Sequence, residues 1–363
     1  MTPNHSSRIK ERLRYKANTL SRISRVILLS IASRVKEITA MASGYGFYCK
    51  SLAGESRFSP AVNADLSVSC NCADSDGSGV LGNLSESGLQ EIWKGPIANK
   101  FRHKLASGKI PILRCVTCQD LAITPKSQAS LMEHVDKVPA STVLLENTAA
   151  CTLNCIACRR TSRPLKKMHM SLSEMEFVLI ELSKLEVKTI EFFNLGEPFL
   201  SRHILDEVNL VRQYLPEVEL HTSTIGMFLS QEKIEAAFKF NLMFFSLDGP
   251  DGKTATRYQI GLNFDQAITN LRQLVVERDR LGHKMPYIVW RYVIFNWNDR
   301  QEQIERAIEM AKHIGVDAIE FRWAMSPPWG ISFRFYVSKF WKELAPIQGH
   351  SRNLRFKTTT YRW

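Results

Sequence analysis

From residue 141 the sequence alternates strand-like and helical runs, and this alternation limits what the chain can fold into more than any other feature. Strand-like runs occur at 143–145, 189–193, 218–221, 242–245, 288–295 and 318–321. Amphipathic stretches near 173–184, 202–213, 231–238, 264–280 and 300–314 separate them. Strands that alternate with helices predict a parallel sheet with right-handed crossovers. Six units fall short of the eight that close a full barrel. The expected fold is therefore α/β, a partial (β/α)6 parallel barrel over residues 141–324. In such sheets ligands sit at the carboxyl ends of the strands.

The first of those strand ends carries the strongest chemical signal. Cys151, Cys155 and Cys158 stand in a C-x3-C-x2-C spacing directly after the first strand. Three thiolates on one compact loop can hold three corners of a 4Fe–4S cubane and leave the fourth iron open to an exogenous molecule. A structural zinc site would need a fourth ligand. The chain has eight cysteines in all, the others being Cys49, Cys70, Cys72, Cys115 and Cys118. A long chain without a secretory signal uses such short-spaced clusters for metal rather than for disulfides.

The triplet and its placement resemble the radical S-adenosylmethionine superfamily. The resemblance covers about residues 141–324. After the second strand, Asn194-Leu195-Gly196-Glu197-Pro198 is similar to the family's Gly-Gly-Glu-Pro motif, which grips the amino group of the cofactor's methionine. After the fourth strand stand Ser246-Leu247-Asp248-Gly249, then Arg257 and Gly261. The resemblance implies cofactor contacts at Gly196, Glu197, Ser246 and Arg257. Asp248 is a weaker candidate. Arg291 and Asn298 can serve the cofactor or simply pack, and Ser223-Thr224-Ile225-Gly226 resembles the family's Thr-Asn-Gly turn loosely. Two positions depart from the pattern: Ala157 stands where an aromatic residue is usual, and Leu195 replaces the first glycine. The resemblance implies that S-adenosylmethionine is cleaved reductively, giving a 5′-deoxyadenosyl radical that abstracts hydrogen from a substrate. It also implies a reductant protein of flavodoxin or ferredoxin type. The substrate, a peptide or a small molecule such as a sugar, is not legible, and no catalytic residue on it can be named.

The remaining cysteines sit in a second frame. Cys70, Gly82-Asn83-Leu84, Leu89-Gln90-Glu91-Ile92-Trp93 and Cys115-Val116-Thr117-Cys118 resemble the SPASM or shortened twitch module, which carries an auxiliary iron–sulfur cluster. In the family this module usually follows the radical domain, and here it precedes it. The resemblance assigns Cys49, Cys70, Cys115 and Cys118 to that cluster, with Cys72 spare. A zinc site built from Cys70, Cys72, Cys115 and Cys118 satisfies the same sequence. The expected organisation is a basic helix over 1–40, a small cysteine-rich α+β module over 41–120, a linker over 121–140, the core over 141–324, and an aromatic and basic segment over 325–363.

Charge is concentrated at the ends. Residues 1–40 hold nine Lys/Arg against two Glu, and residues 325–363 hold seven against one, in a chain of net charge +12. The stretch between them is near neutral, which argues against a nucleic-acid enzyme with a charged groove. Basic ends suit anionic lipid or a partner protein. No apolar run approaches the roughly 20 residues that span a bilayer, so the expectation is a cytoplasmic protein with peripheral contacts through residues 1–40. A non-catalytic reading also stands: a metal-stabilised scaffold on a decayed barrel. Retention of the cysteine triplet with Gly196 and Glu197 weighs against it.

Overall fold

A computed structural model describes residues 26–56, 59–72, 74, 76–135, 138, 141–160, 167–324 and 326–334, and the backbone of 349–351 and 354–361. The N-terminal helix α1 is seen over residues 26–42; the part expected before residue 26 lies outside the described residues, as do the aromatic side chains Phe335, Tyr336, Phe340 and Trp341.

The cysteine module follows. It contains β1 (Tyr45–Cys49), α2 (Lys50–Ala53), β2 (Ala61–Val62), β3 (Ser67–Ser69), β4 (Val80–Asn83), α3 (Leu89–Trp93), α4 (Pro96–Ala106), a short 3-10 helix (Leu113–Thr117), β5 (Leu121–Pro125) and α5 (Lys126–Leu131). Its start and stop signals are local: Pro96 opens α4 at a position where the missing N–H costs nothing, and Gly54 ends α2 with a left-handed φ of 86°. The stretch read as a linker over 121–140 is folded in its first half. β5 pairs antiparallel with β1, Tyr45 opposite Pro125 and Cys49 opposite Leu121.

The six expected strands all form: β6 (Thr142–Leu145), β7 (Thr189–Glu191), β8 (Glu219–Thr224), β9 (Leu242–Ser246), β10 (Tyr287–Ile294) and β11 (Ala318–Trp323). They lie side by side in chain order and all run parallel. The crossovers are α6 (Leu172–Ser183), α7 (Ile204–Tyr214), α8 (Gln231–Ala237), α9 (Gly252–Ala255) with α10 (Phe264–Arg280), and α11 (Gln301–Ile314). The sheet does not end with these six. On one edge β2 of the cysteine module pairs parallel with β6 and carries β3 and β4 with it. On the other, β13 (Leu354–Tyr361) pairs parallel with β11 and antiparallel with β12 (Gly349–Ser351). The cysteine module and the core thus share one eleven-stranded sheet.

The strands alternate, although a parallel sheet buried on both faces would read as continuously apolar. One face carries Leu220, Met243, Phe245, Ile288, Trp290, Tyr292, Ile319 and Phe321, all buried and packed with the helices. Burial stabilises each of these side chains by about 1.5–3 kcal/mol. The residues between them, Glu191, His221, Ser223, Ser246, Arg291, Glu320 and Arg322, belong to the opposite face. A row of charged and hydroxyl groups on an interior face prepares a polar chamber. A buried ion pair and a hydrogen bond lock the helix layer: Arg278 of α10 pairs with Asp317 before β11 at 2.5 Å, and Asp317 also accepts from the amide of Ile288 at 2.6 Å. Among the described residues no helix is long and apolar enough to cross a membrane.

Candidate metal centre

The loop after β6 is held from three sides before any metal is considered. Ala149 N–H donates to Met168 O at 2.8 Å, Asn154 N–H to Ile260 O at 2.9 Å, and Ile156 N–H to Tyr258 O at 3.1 Å. Within the loop Leu153 N–H points at the Cys151 sulfur at 3.5 Å, and Cys158 N–H donates to Cys155 O. Cys155 lies within electrostatic reach of both other thiols, and Cys151 within reach of Cys158. Burial pushes Cys155 up to about 12, with the charges of Cys158, Asp248 and Cys151 adding to it. Burial likewise raises Cys151, with Glu197 and Cys158 adding and Arg160 opposing. Thiols in this state are inert acids until cations neutralise them, and iron is such a cation. The donor set fits a cubane at three corners, since the sequence holds no cysteine beyond Cys158.

Gly196 is there because nothing larger fits. A Cβ on it would lie 1.9 Å from the carbonyl oxygen of Thr148 and 2.8 Å from Ala149 Cα. The loop after β7 therefore lies flush against the base of the cysteine loop, and Glu197 N–H donates to Ala150 O at 2.8 Å. The Glu197 carboxylate is spoken for: it accepts from Thr224 Oγ1 at 2.6 Å, Ile225 N–H at 2.8 Å and Phe199 N–H at 3.2 Å. Only 2 % of the residue is exposed, and burial pushes its pKa up to about 7 against these hydrogen bonds. The motif's carboxylate is thus a brace between the β7 and β8 loops.

The other candidates divide. Ser246 ends β9 with its hydroxyl 3.1 Å from that of Ser223 on β8, so two hydroxyls meet at adjacent strand ends. Arg257 is exposed and its guanidinium lies 5.0 Å from the centre of the Trp297 ring. It belongs to the segment whose carbonyls at Tyr258 and Ile260 cap the cysteine loop. Asp248 is buried, accepts from Val293 N–H at 2.9 Å, and is pushed up to about 7 by desolvation. Asn298 has both ends of its amide committed to Asp248 O, Val293 O and Phe295 N–H, so it holds the β10–α11 turn. The Arg291 guanidinium lies 3.6 Å from the centre of the Phe244 ring and 3.6 Å from Glu320, which Arg322 already engages. Its buried Nε makes no hydrogen bond, and desolvation lowers its pKa to about 10. Two neighbours carried no motif signal. Gln259 ties Ser246 O to Asp248 N–H through its amide at 2.8 and 3.0 Å, and the Tyr258 ring packs 4.6 Å from Phe295.

In the N-terminal module, Cys49 ends β1, Cys70 follows β3, Cys115 lies within the 3-10 helix and Cys118 caps its end. Their thiols interact: Cys70 feels Cys49, Cys115 and Cys118, and Cys49 feels Cys118. Burial pushes Cys49 and Cys115 up to about 12 and Cys70 well above its usual value. A Cβ on Gly79 would stand 2.8 Å from the Cys70 sulfur, which fixes that position as glycine. Asn71 Nδ2 donates to Asp120 Oδ2 at 2.7 Å and Ser51 Oγ at 2.9 Å, and lies 3.6 Å from the Cys118 sulfur. Cys72 is exposed. Among the described residues no three His, Cys, Asp or Glu are grouped closely enough to share a single metal ion.

The SPASM family profile, an iron–sulfur cluster-binding domain, matches residues 58–119; Cys49 lies just ahead of that stretch. Probable GTP 3′,8-cyclases of Pyrococcus horikoshii and Pyrococcus abyssi are 23 % and 25 % identical over 137 residues, 37 % of this chain. The matched region spans 43 % and 44 % of those relatives, less than half of either. Among solved structures, Streptococcus suis SuiB aligns over 73 % of this chain and 61 % of its own at 13 % identity and a TM-score of 0.45. Native anSMEcpe with bound AdoMet and the Cp18Cys peptide aligns over 54 % and 55 % at 15 % identity and a TM-score of 0.41. Residues 58–119 thus match the SPASM iron–sulfur cluster-binding domain, and the chain as a whole, with the cysteine triplet after its first core strand, is similar to radical S-adenosylmethionine proteins that carry such a module.

Proposed function

We propose that the protein is an enzyme that cleaves S-adenosylmethionine reductively and removes a hydrogen atom from a substrate held over the polar face of the sheet. The observation that carries this is the seam between the two loops: three thiols on one loop, pressed against the Gly196–Glu197 turn and capped by the carbonyls of Tyr258 and Ile260. Cys151, Cys155 and Cys158 would hold an iron–sulfur cluster, which would supply the electron for reductive cleavage of S-adenosylmethionine and so the hydrogen-abstracting radical.

The protein's own part is to bind, orient and exclude water. Gly196 lets the strand-end loops close on each other. Glu197 braces the turn at Thr224 and Ile225, so the motif's grip on the cofactor falls to the turn's backbone. Ser246 and Ser223 offer hydroxyls at the strand ends, and Arg257 offers a cation for a carboxylate at the rim. Cys49, Cys70, Cys115 and Cys118 hold the auxiliary cluster. A flavodoxin- or ferredoxin-type protein supplies the electron, residues 1–40 contact a membrane or a partner, and the substrate is a peptide or a small molecule.

Anaerobic reconstitution tests this reading. The loaded protein is expected to hold roughly eight irons in two clusters and to release 5′-deoxyadenosine on addition of dithionite and S-adenosylmethionine. An intact triplet cluster that releases none overturns it. About four irons with one zinc would overturn the auxiliary-cluster assignment alone.

A further inference from the structure

Helix α1 turns its small residues to the body and its large apolar ones to water. Leu29 and Ala32, half-buried, and buried Ala40 pack with Phe47, Leu105, Ile110 and Val116, beside the Cys115 turn. Two polar contacts fix the helix's rotation: Lys36 Nζ donates to Val116 O at 2.9 Å, and Glu37 Oε1 accepts from Ile110 N–H at 2.9 Å. The outer side carries Ile27, Leu28, Ile31, Val35, Ile38 and Met41, each between 54 % and 67 % exposed. Their three- and four-residue steps place them in one stripe. The stripe runs on to exposed Tyr45 and Ile123 around a cavity of about 300 Å³ between the helix and the β1–β5 pair. A contiguous apolar surface of this kind marks an interaction site.

Charge selects the occupant. The residues just ahead of the helix, 1–25, hold seven Lys/Arg against one glutamate, and Arg34, 80 % exposed at its side chain, stands among the stripe residues. A second copy of this chain would bring the same positive segment to the same stripe. An anionic lipid surface meets both features, taking up the apolar chains and attracting the basic segment. We infer that α1 lies in the surface of an anionic bilayer through the Ile27–Met41 stripe and so holds the auxiliary cysteine module at the membrane. This stands independently of the radical chemistry.

Co-sedimentation of the full chain with vesicles tests it. Binding is expected to phosphatidylcholine vesicles containing 30 % phosphatidylglycerol and to be weak with phosphatidylcholine alone. High salt should weaken it, because screening removes the electrostatic share. I31E/I38E changes two exposed positions and is expected to lower partitioning about tenfold or more; R34E is expected to lower it about fivefold. Iron content and melting temperature of the variants, unchanged, show that the fold persists. Three results overturn the inference: no binding to either vesicle, equal binding by wild type and I31E/I38E, or a wild-type dimer in analytical ultracentrifugation that I31E/I38E dissolves.

Discussion

The amide of Glu197 donates to the carbonyl of Ala150 at 2.8 Å, one residue before the first cysteine of the triplet. The Gly196–Glu197 turn and the loop of the cysteine triplet are therefore one mechanical unit, and disturbance of either is expected to reach the other.

Gly196→Ala tests that unit. The added methyl would meet Thr148 O at 1.9 Å, so the two loops must part by about 1 Å. A displacement of that size at a reacting centre costs about a hundredfold in rate. Cofactor cleavage should fall accordingly, while iron in the N-terminal module, counted separately in a variant lacking the triplet, stays unchanged.

The pH dependence of stability follows from Glu197. Its folded pKa of about 7 lies above the ordinary 4.5 because burial disfavours the charge. The folded state then binds the proton more tightly than the unfolded chain between those values, so stability falls as pH rises through that window. The metal-free protein should melt at a lower temperature at pH 7.5 than at pH 5.5, and Glu197→Gln should flatten the profile. An unchanged slope in Glu197→Gln would show that another group, such as Asp248, governs it.

The parts of the fold that were legible are those with a local signal. The six core strands and five crossover helices follow from periodicity, and the triplet's position after β6 follows from both. Non-local pairing was illegible. β5 is a five-residue run, Leu-Ala-Ile-Thr-Pro, whose partner β1 lies more than seventy residues earlier, so nothing nearby marks 121–125 as a strand. β2 is two residues long and joins the sheet only because β6 offers a free edge. At the site, the sequence showed which residues stand at strand ends. It did not show that the Glu197 carboxylate is consumed by Thr224 and Ile225, because hydrogen-bond partners twenty-seven and twenty-eight residues away leave no spacing pattern.

Arg278 and Asp317 are buried together, at 3 % and 2 % side-chain exposure, and join α10 to the strand layer. Removing one member leaves the other charge unpaired in the interior, at a cost of about 3–5 kcal/mol. Arg278→Met should therefore lower the unfolding free energy from a denaturant titration by that amount, with Arg278→Met/Asp317→Leu recovering much of the loss.

Asn71 bears on the proposed auxiliary cluster. Its amide lies 3.6 Å from the Cys118 sulfur while anchored on Asp120 and Ser51. Hydrogen bonds to ligand sulfurs stabilise the reduced, more negative cluster. Asn71→Ala should shift the auxiliary potential to a more negative value in an EPR-monitored titration and leave the triplet cluster's potential in place.

The two proposed metal sites share a sheet but no cysteine, and Cys155 separates them experimentally. It sits mid-triplet, in electrostatic reach of both Cys151 and Cys158, and the loop around it is fixed by the backbone bonds of Asn154 and Ile156 to the 258–260 segment rather than by its own thiol. Cys155→Ala should therefore keep the loop's path while removing one cluster corner. Two thiols do not retain a cubane that three hold with one corner already open, so iron should fall by about half, to roughly four per chain. 5′-Deoxyadenosine formation should vanish, and the auxiliary cluster's EPR signal should persist. Loss of both signals would mean that the N-terminal module depends on the triplet for its folding, through the β2–β6 pairing that joins them.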